Sequence, residues 1–451
     1  MIANSKLFLT TMPRYLDRLD TKTLIFAVVI VLLASQTFVV SFWFIRDLER
    51  PFAGSQIYGQ VAENIIDNGI YSLDGNRLTA TRPPLYPLYL TLSMLISRDN
   101  YGFITILSQS VLDIISGVLV FFISLRIFRN KVAAFISVLL YGLHFTLHLQ
   151  STKQMETTLF IFLVLLFFYL IMGKKSTATY IILSCLATLA YLTRATGLFL
   201  FPVIFIDLLT QKYQTKELFK HIFAISITAL IVVAPWQIYV YRNFHTLSPS
   251  TNGGNSSFHG NNPDFQIIYP YVYMEYYTPL VYDFMREHNI DTKDEIAMDE
   301  FLGGEAWKFI QQNPMLFVRN GMIKIFSLYS PLLTPIGRGD LVGGVGNLTL
   351  ENFELGLSVS LRGIAYTFIY VIMVLGIILF TKNITLYSKQ QKIQVSLILI
   401  FAILLTILHI SLSYGTVRYR LPLDPLLIIL AGQGYWLLFE GKNKKTTELS
   451  P

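Results

Sequence analysis

The chain has 451 residues, 53% of them hydrophobic and 14% charged, with a mean hydropathy of +0.53. Such a composition lies outside the soluble range, and its apolar runs predict an all-α polytopic membrane protein; the alternating ten-residue strands of a membrane barrel are missing. The net charge of +7 gathers in short loops, which points to membrane topology and anionic lipid and to no nucleic acid.

Residues 23–44 form the first expected span. Lys6, Arg14, Arg18 and Lys22 precede it, which puts the N-terminus in the cytoplasm and the next segment outside. That segment, the first outer loop at 46–84, holds a short helix near 61–66, a turn at Asn68-Gly69 and an Asp74-Gly75-Asn76 loop. It ends on Arg82-Pro83-Pro84-Leu85-Tyr86-Pro87. Leu85–Ile96 is apolar but short, so it should dip into the outer leaflet without crossing. Residues 103–125 cross inward and end at Arg126, Arg129 and Lys131. Spans follow at 132–149, 157–172, 179–192, 198–209 and 223–240, and each basic cluster between them falls on the cytoplasmic side.

Residues 241–361 read as a large outer loop, with a Gly-rich turn at 337–346. Residues 314–333 within it are expected to lie at the interface, because Arg319 and Lys324 interrupt the apolar run. Spans at 363–380, 395–413 and 423–439 bring the total to about ten, given roughly 20 residues per crossing. Three regions result: an N-terminal membrane module at 1–240, the outer loop at 241–361, and C-terminal helices with a short tail at 362–451. The one cysteine, Cys185, permits no internal disulfide.

Transporters place ionisable residues near mid-span. Asp113 and Arg194 come nearest to that here, so the chemistry is expected at the outer surface. Arg82 stands beside a rigid Pro-Pro corner, where a guanidinium could grip a phosphate or simply snorkel. Arg194, in Leu192-Thr193-Arg194, ends a span on the same side. Arg418 and Arg420 lie outside against the positive-inside bias, which an anionic ligand would explain. Glu156 opens a span, where a carboxylate is favourable for helix-dipole reasons alone. Pro235-Trp236, Arg242-Asn243, Asn252-Gly253-Gly254 and His259-Gly260-Asn261-Asn262-Pro263 supply donors and acceptors suited to a sugar or pyrophosphate. No P-loop, HExxH or GxSxG motif occurs.

The segment from Tyr58 through Gly69-Ile70-Tyr71 to Arg82-Pro83-Pro84-Leu85-Tyr86-Pro87 resembles the first outer loop of GT-C membrane glycosyltransferases. The branch it resembles contains protein O-mannosyltransferases and the lipid A aminoarabinose transferase. Pro235-Trp236, Arg242-Asn243, Asn252-Gly253-Gly254 and Gly260-Asn261-Asn262-Pro263 resemble the start of the family's large outer loop. The resemblance covers about the first 265 residues and the Arg418-Tyr419-Arg420-Leu421-Pro422 element. It implies a GT-C-like bundle with interfacial helices in two outward loops, a polyprenyl-phosphate-sugar donor, and inversion at the anomeric carbon. The acceptor would be an envelope lipid, glycan or protein, and the setting the cytoplasmic membrane of a bacterium.

In this frame Arg82, Arg194, Arg418 and Arg420 are candidates for the donor phosphate. Tyr58, Tyr86, Arg242, Asn252, His259, Asn261 and Asn262 are candidates for substrate contact. The family's acidic residue falls on Gly54 here, so the carboxylate role passes to Asp47, Glu49, Glu63 or Glu156. A divalent metal could assist, without a firm ligand set. The rival readings are a non-catalytic handler of lipid-linked glycans, a flippase, and a polysaccharide ligase or polymerase.

Overall fold

The computed structural model describes residues 19–46, 56–248, 250–263, 274–331, 350–412 and 417–447. Among these it is helical, with no strand and one isolated antiparallel bridge between Ser72 and Leu78. The first helix, α1 (Thr21–Arg46), buries Leu24, Val28, Leu32, Gln36 and Val39 along one stripe and leaves Phe26, Ile30 and Phe38 exposed. That is the pattern of a span with one face on the bundle and one on lipid. Gln36 anchors its outer half by donating to Ser110 Oγ at 2.7 Å and Ser151 Oγ at 2.5 Å.

The first outer loop carries α2 (Gln56–Asn68), longer than the helix expected at 61–66. It buries Tyr58, Val61 and Ala62 and exposes Glu63. Gly69 and Gly75 take positive φ, and Asp74 closes its turn by accepting from the Asn76 and Arg77 amides. α3 (Leu85–Ile96) has the expected bounds. Its prolines lie in and just before the first turn, where no amide hydrogen is needed. Twelve residues reach only about 18 Å, well short of the roughly 30 Å of hydrocarbon. Tyr86, Leu90 and Met94 face the protein, while Leu88, Leu92 and Leu95 are exposed.

α4 (Tyr101–Phe128) crosses the bundle. The span expected at 132–149 is broken: α5 (Lys131–Gly142) meets α6 (Phe145–His148) and the 3-10 turn Leu149–Thr152 at a 63° bend. α7 (Thr157–Ile171), α8 (Thr177–Tyr191) and α9 (Leu200–Thr210) are short apolar helices. α10 (Thr215–Phe244) runs 30 residues along the edge, with Phe219, Phe223, Leu230 and Ile231 exposed. Five described helices are long and apolar enough to cross a membrane, six if the bent pair is one span. The expected ten are reached only if every short apolar helix except α3 also crosses. The short helices pack inside the bundle, where length need not match the lipid.

The second outer segment contributes α11 (Gly253–Gly260), α12 (Met274–Glu287), α13 (Glu295–Gln312) and α14 (Pro314–Leu328). The turn expected at 337–346 lies outside the described residues. α14 buries Asn320, Lys324 and Ser327 and exposes Met315, Val318, Met322 and Phe326. Polar-in and apolar-out is the pattern of a helix on lipid, in keeping with the interfacial reading. α15 (Leu350–Lys382), α16 (Lys389–Leu412), α17 (Val417–Arg420) and α18 (Asp424–Thr447) complete the chain. A Cβ on Gly434 of α18 would stand 1.9 Å from the Gly376 carbonyl of α15. Only glycine allows these two helices so close.

The two outer segments meet at one end of the bundle. The Thr251 amide donates to the Ala80 carbonyl at 3.0 Å. Glu295 accepts from Thr79 Oγ1, from the Ala80 amide at 3.0 Å and from Thr251 Oγ1 at 2.7 Å. Tyr239, near the end of α10, donates to the carbonyls of Tyr71 and Thr79, and Trp236 packs on Tyr71 with centroids 5.1 Å apart. The Pro235-Trp236 motif therefore clamps the first outer loop. At the opposite end, Arg126 donates to the Tyr169 carbonyl and Lys175 pairs with Asp207 at 2.9 Å.

Candidate functional site

Three arginines from distant parts of the chain converge on one carboxylate. Glu156 is the residue just before α7, makes no capping hydrogen bond with its side chain, and is buried. Arg418 Nη2 lies 3.3 Å from its Oε1 and 3.5 Å from its Oε2. Arg194, just past the end of α8, places Nε 3.6 Å from Oε1. Arg82 makes no ion pair with Glu156, but its charge is near enough to act on the carboxylate. Its guanidinium stands 5.9 Å from the Tyr58 ring centroid. Burial raises the Glu156 carboxyl, but Arg418 and Arg194, with help from Arg82, outweigh it and hold it below the ordinary range. Burial also pushes the neighbouring Tyr58 hydroxyl up, reinforced by the charge of Glu156.

Local folding explains the convergence. Leu85 N donates to the Leu192 carbonyl at 3.0 Å, which ties the start of α3 to the end of α8 and brings Arg82 and Arg194 to one rim. Tyr71 Oη donates to the Arg82 carbonyl at 3.0 Å and fixes the backbone ahead of Pro83-Pro84. The Arg194 guanidinium lies 5.2 Å from the Tyr419 ring and 5.5 Å from the Phe160 ring, so aromatic faces hold it without neutralising it.

Arg82 also lines a neighbouring cleft of ≈ 390 Å³ between the two outer segments. Thr79, Thr81, Asn252, Asn255, His259 and Glu295 contribute polar walls. Val281, Met285 and Met298 contribute apolar ones. Asp299 Oδ1 accepts from the Gly254 amide at 2.6 Å and fixes the start of α11. A Cβ on Gly254 would fall 1.8 Å from the Asp299 carbonyl oxygen, so only glycine fits. His259 Nδ1 donates to the Asn255 carbonyl at 2.6 Å, and burial lowers the imidazole pKa to about 4.

The structure gathers Arg82, Arg194, Arg418, Glu156 and Tyr58 in one cluster and Asn252 and His259 in the adjoining cleft. Other candidates stand elsewhere. Arg420 is sealed in a second network: its Nε donates to Asp424 Oδ1 at 2.8 Å, Nη1 to the Leu328 carbonyl at 3.1 Å and Nη2 to Tyr366 Oη at 2.6 Å. It is fully buried there, away from any ligand. Glu63 is exposed on the far face of α2, acting on Arg98 and Tyr101. Arg242 points to solvent.

Tyr86 is fully buried and donates to Gln109 Oε1 at 3.1 Å. Asn262 donates to the Phe258 carbonyl, and Asn261 donates to the Ser411 carbonyl while accepting from Lys324. These three hold backbone in place. Asp47 and Glu49 lie outside the described residues. Glu295 went unread in the sequence, because an acid in an outer loop has many trivial uses, and Tyr419 was read only as part of its element, with no role of its own.

Among the described residues, no three His, Cys, Asp or Glu side chains stand together for a metal. Guanidiniums crowded on Glu156 make it a poor metal ligand. The described residues of this cluster do not supply a metal ligand set.

Residues 81–239 match the family described as dolichyl-phosphate-mannose-protein mannosyltransferase, a stretch that contains Arg82, Glu156 and Arg194. No curated protein sequence matches the chain. The Archaeoglobus fulgidus oligosaccharyltransferase tethered to an acceptor peptide aligns at 12% identity and TM-score 0.51, over 92% of this chain and 50% of that one. The same enzyme in its apo form aligns at 13% and 0.50, over 91% and 50%. The chain thus spans about half the length of the oligosaccharyltransferase it matches. ArnT from Cupriavidus metallidurans bound to undecaprenyl phosphate aligns at 11% and 0.40, over 90% and 78%, too low a score to add to the argument. The chain has the fold of a GT-C membrane glycosyltransferase, and its residues 81–239 are similar to the protein mannosyltransferase family.

Proposed function

We propose that the protein transfers a sugar from a polyprenyl-phosphate donor to an envelope acceptor at the outer face of a bacterial cytoplasmic membrane. The observation that carries this is the meeting of Arg82, Arg194 and Arg418 around Glu156, at the rim of a helix too short to cross the bilayer. Three guanidiniums and one carboxylate leave a local charge of +3 − 1 = +2. The donor phosphodiester carries one negative charge, and the polyprenyl phosphate that departs carries up to two. The site therefore favours the charge that develops as the bond breaks.

The lipid tail would lie along the exposed face of α3. The acceptor hydroxyl would enter through the cleft that shares Arg82, attack the anomeric carbon opposite the phosphate, and invert it. The C1–O bond breaks, and its electrons leave with the phosphate. Clamped between guanidiniums, Glu156 is a poor base and serves to hold the arginines. The proton then passes to Asp47 or Glu49, both upstream of Tyr58 in sequence. No step is routed through a metal.

Purified protein incubated with a panel of radiolabelled polyprenyl-phosphate sugars tests the reading. Release or transfer of sugar by wild type, and its loss in Arg418→Ala, is the expected result. If wild type binds and turns over none of the panel, the transferase reading fails; binding without turnover would favour the non-catalytic rival.

A further inference from the structure

Beside Glu156, the described residues leave several buried polar atoms with no hydrogen-bond partner. Arg82 Nε, Arg194 Nη1, Thr157 Oγ1 and Thr158 Oγ1 are among them, and so are both ring nitrogens of His409. An orphaned buried polar group costs stability, so a group of them suits a polar ligand. His409 is the most telling. It lies in the last turn of α16, is 4% exposed, and belongs to none of the motifs read from the sequence. Its ring stacks on Tyr419 with centroids 4.4 Å apart and planes at 24°. The Arg194 guanidinium stands over the same Tyr419 ring at 5.2 Å and is close enough for its charge to act on His409. Tyr419 thus packs against both an imidazole and a guanidinium, each with an unpartnered nitrogen.

We propose that His409 is a fourth contact to the donor phosphate, its ring N–H donating to a non-bridging oxygen of the group held by Arg82, Arg194 and Arg418. This rests on the donor-site reading above. In either tautomer an imidazole keeps one donor, and stacking on Tyr419 fixes the ring so that little entropy is lost on binding. The contact adds a directional hydrogen bond to a site otherwise built from charge.

The test is equilibrium binding of undecaprenyl phosphate, with uncharged undecaprenol as the control lipid, to the full-length protein in nanodiscs. His409→Ala is expected to weaken undecaprenyl phosphate about 10-fold or more, as for a hydrogen bond to a charged group, and to leave undecaprenol unchanged. His409→Gln, which keeps an N–H donor, should restore part of the loss; it also serves if His409→Ala does not fold. A merely structural histidine would lower both lipids together. If Arg194→Ala loses the phosphate preference while both His409 variants keep it, the inference is overturned and the donor site stands. If wild type shows no preference for the phosphate, the donor site and the inference fall together.

Discussion

Arg418 and Arg420 sit two positions apart on one short helix, yet they belong to opposite kinds of environment. Arg420 is fully buried, bidentate to Asp424, bonded to a carbonyl and a tyrosine, and backed by the Tyr370 ring at 4.2 Å. Arg418 is a quarter exposed and reaches Glu156 through one terminal nitrogen. Around it, Arg82 and Arg194 each keep an orphaned nitrogen. A closed polar network stabilises the particular packing that contains it. An open one keeps capacity for something that arrives later, at a standing cost in stability. Identical residue types in one tetrapeptide therefore divide into structure and site by what surrounds them.

The sharpest way to break this comparison is to truncate both arginines. Arg420→Ala leaves the buried Asp424 with His144 alone, at 3.2 Å, and should cost about 3 kcal/mol, read as a large fall in melting temperature or a loss of folded protein. Arg418→Ala should leave melting nearly unchanged and remove donor turnover. Equal destabilisation by the two would erase the distinction. Next in size is Arg82→Ala, expected to lower turnover about 100- to 1,000-fold as for loss of a transition-state donor. Arg82→Lys should recover only part, since an ammonium lacks the fork.

A third prediction concerns the cleft. His259 is lowered from 6.5 to about 4 by burial, so the folded state prefers it neutral. Its contribution is present above pH 6.5 and is lost as pH falls from there through 4. The loss should reach on the order of 2 kcal/mol at pH 5. Comparing the melting of wild type and His259→Gln between pH 8 and 5 isolates it; parallel curves would contradict the buried placement.

Glu156→Gln raises the local charge and should tighten undecaprenyl phosphate about 3- to 10-fold, slowing its release. Were Glu156 the general base, affinity would stay put and turnover would fall about 100- to 10,000-fold. The smallest effect is expected for Glu63→Gln, within about 0.5 kcal/mol in stability and silent in turnover.

Much of the fold could be read directly. Leu85–Ile96 has the expected bounds because two prolines and a change of polarity delimit it. The bend at Leu143-His144 could not be read, since no proline marks it and tertiary contacts decide it. Arg194 was legible as a cation at a helix end, and Arg418 as a cation running against the expected positive-inside bias. Glu156 was not separable from an ordinary helix start until its partners came from 38 and 262 residues away (194 − 156 and 418 − 156). His409 stayed hidden inside an apolar run, where one polar residue has no periodicity to announce it. Arg420 misled for the opposite reason: its saturating partners Asp424, Leu328 and Tyr366 are mostly remote in sequence, so its closure is a tertiary fact.

Direct imaging tests the central claim best: a cryo-electron microscopy map of the protein with undecaprenyl phosphate in nanodiscs. The account predicts phosphate density among Arg82, Arg194 and Arg418, with the lipid chain along α3. Phosphate density elsewhere, with the three arginines still gathered on Glu156 and no lipid beside α3, would contradict it.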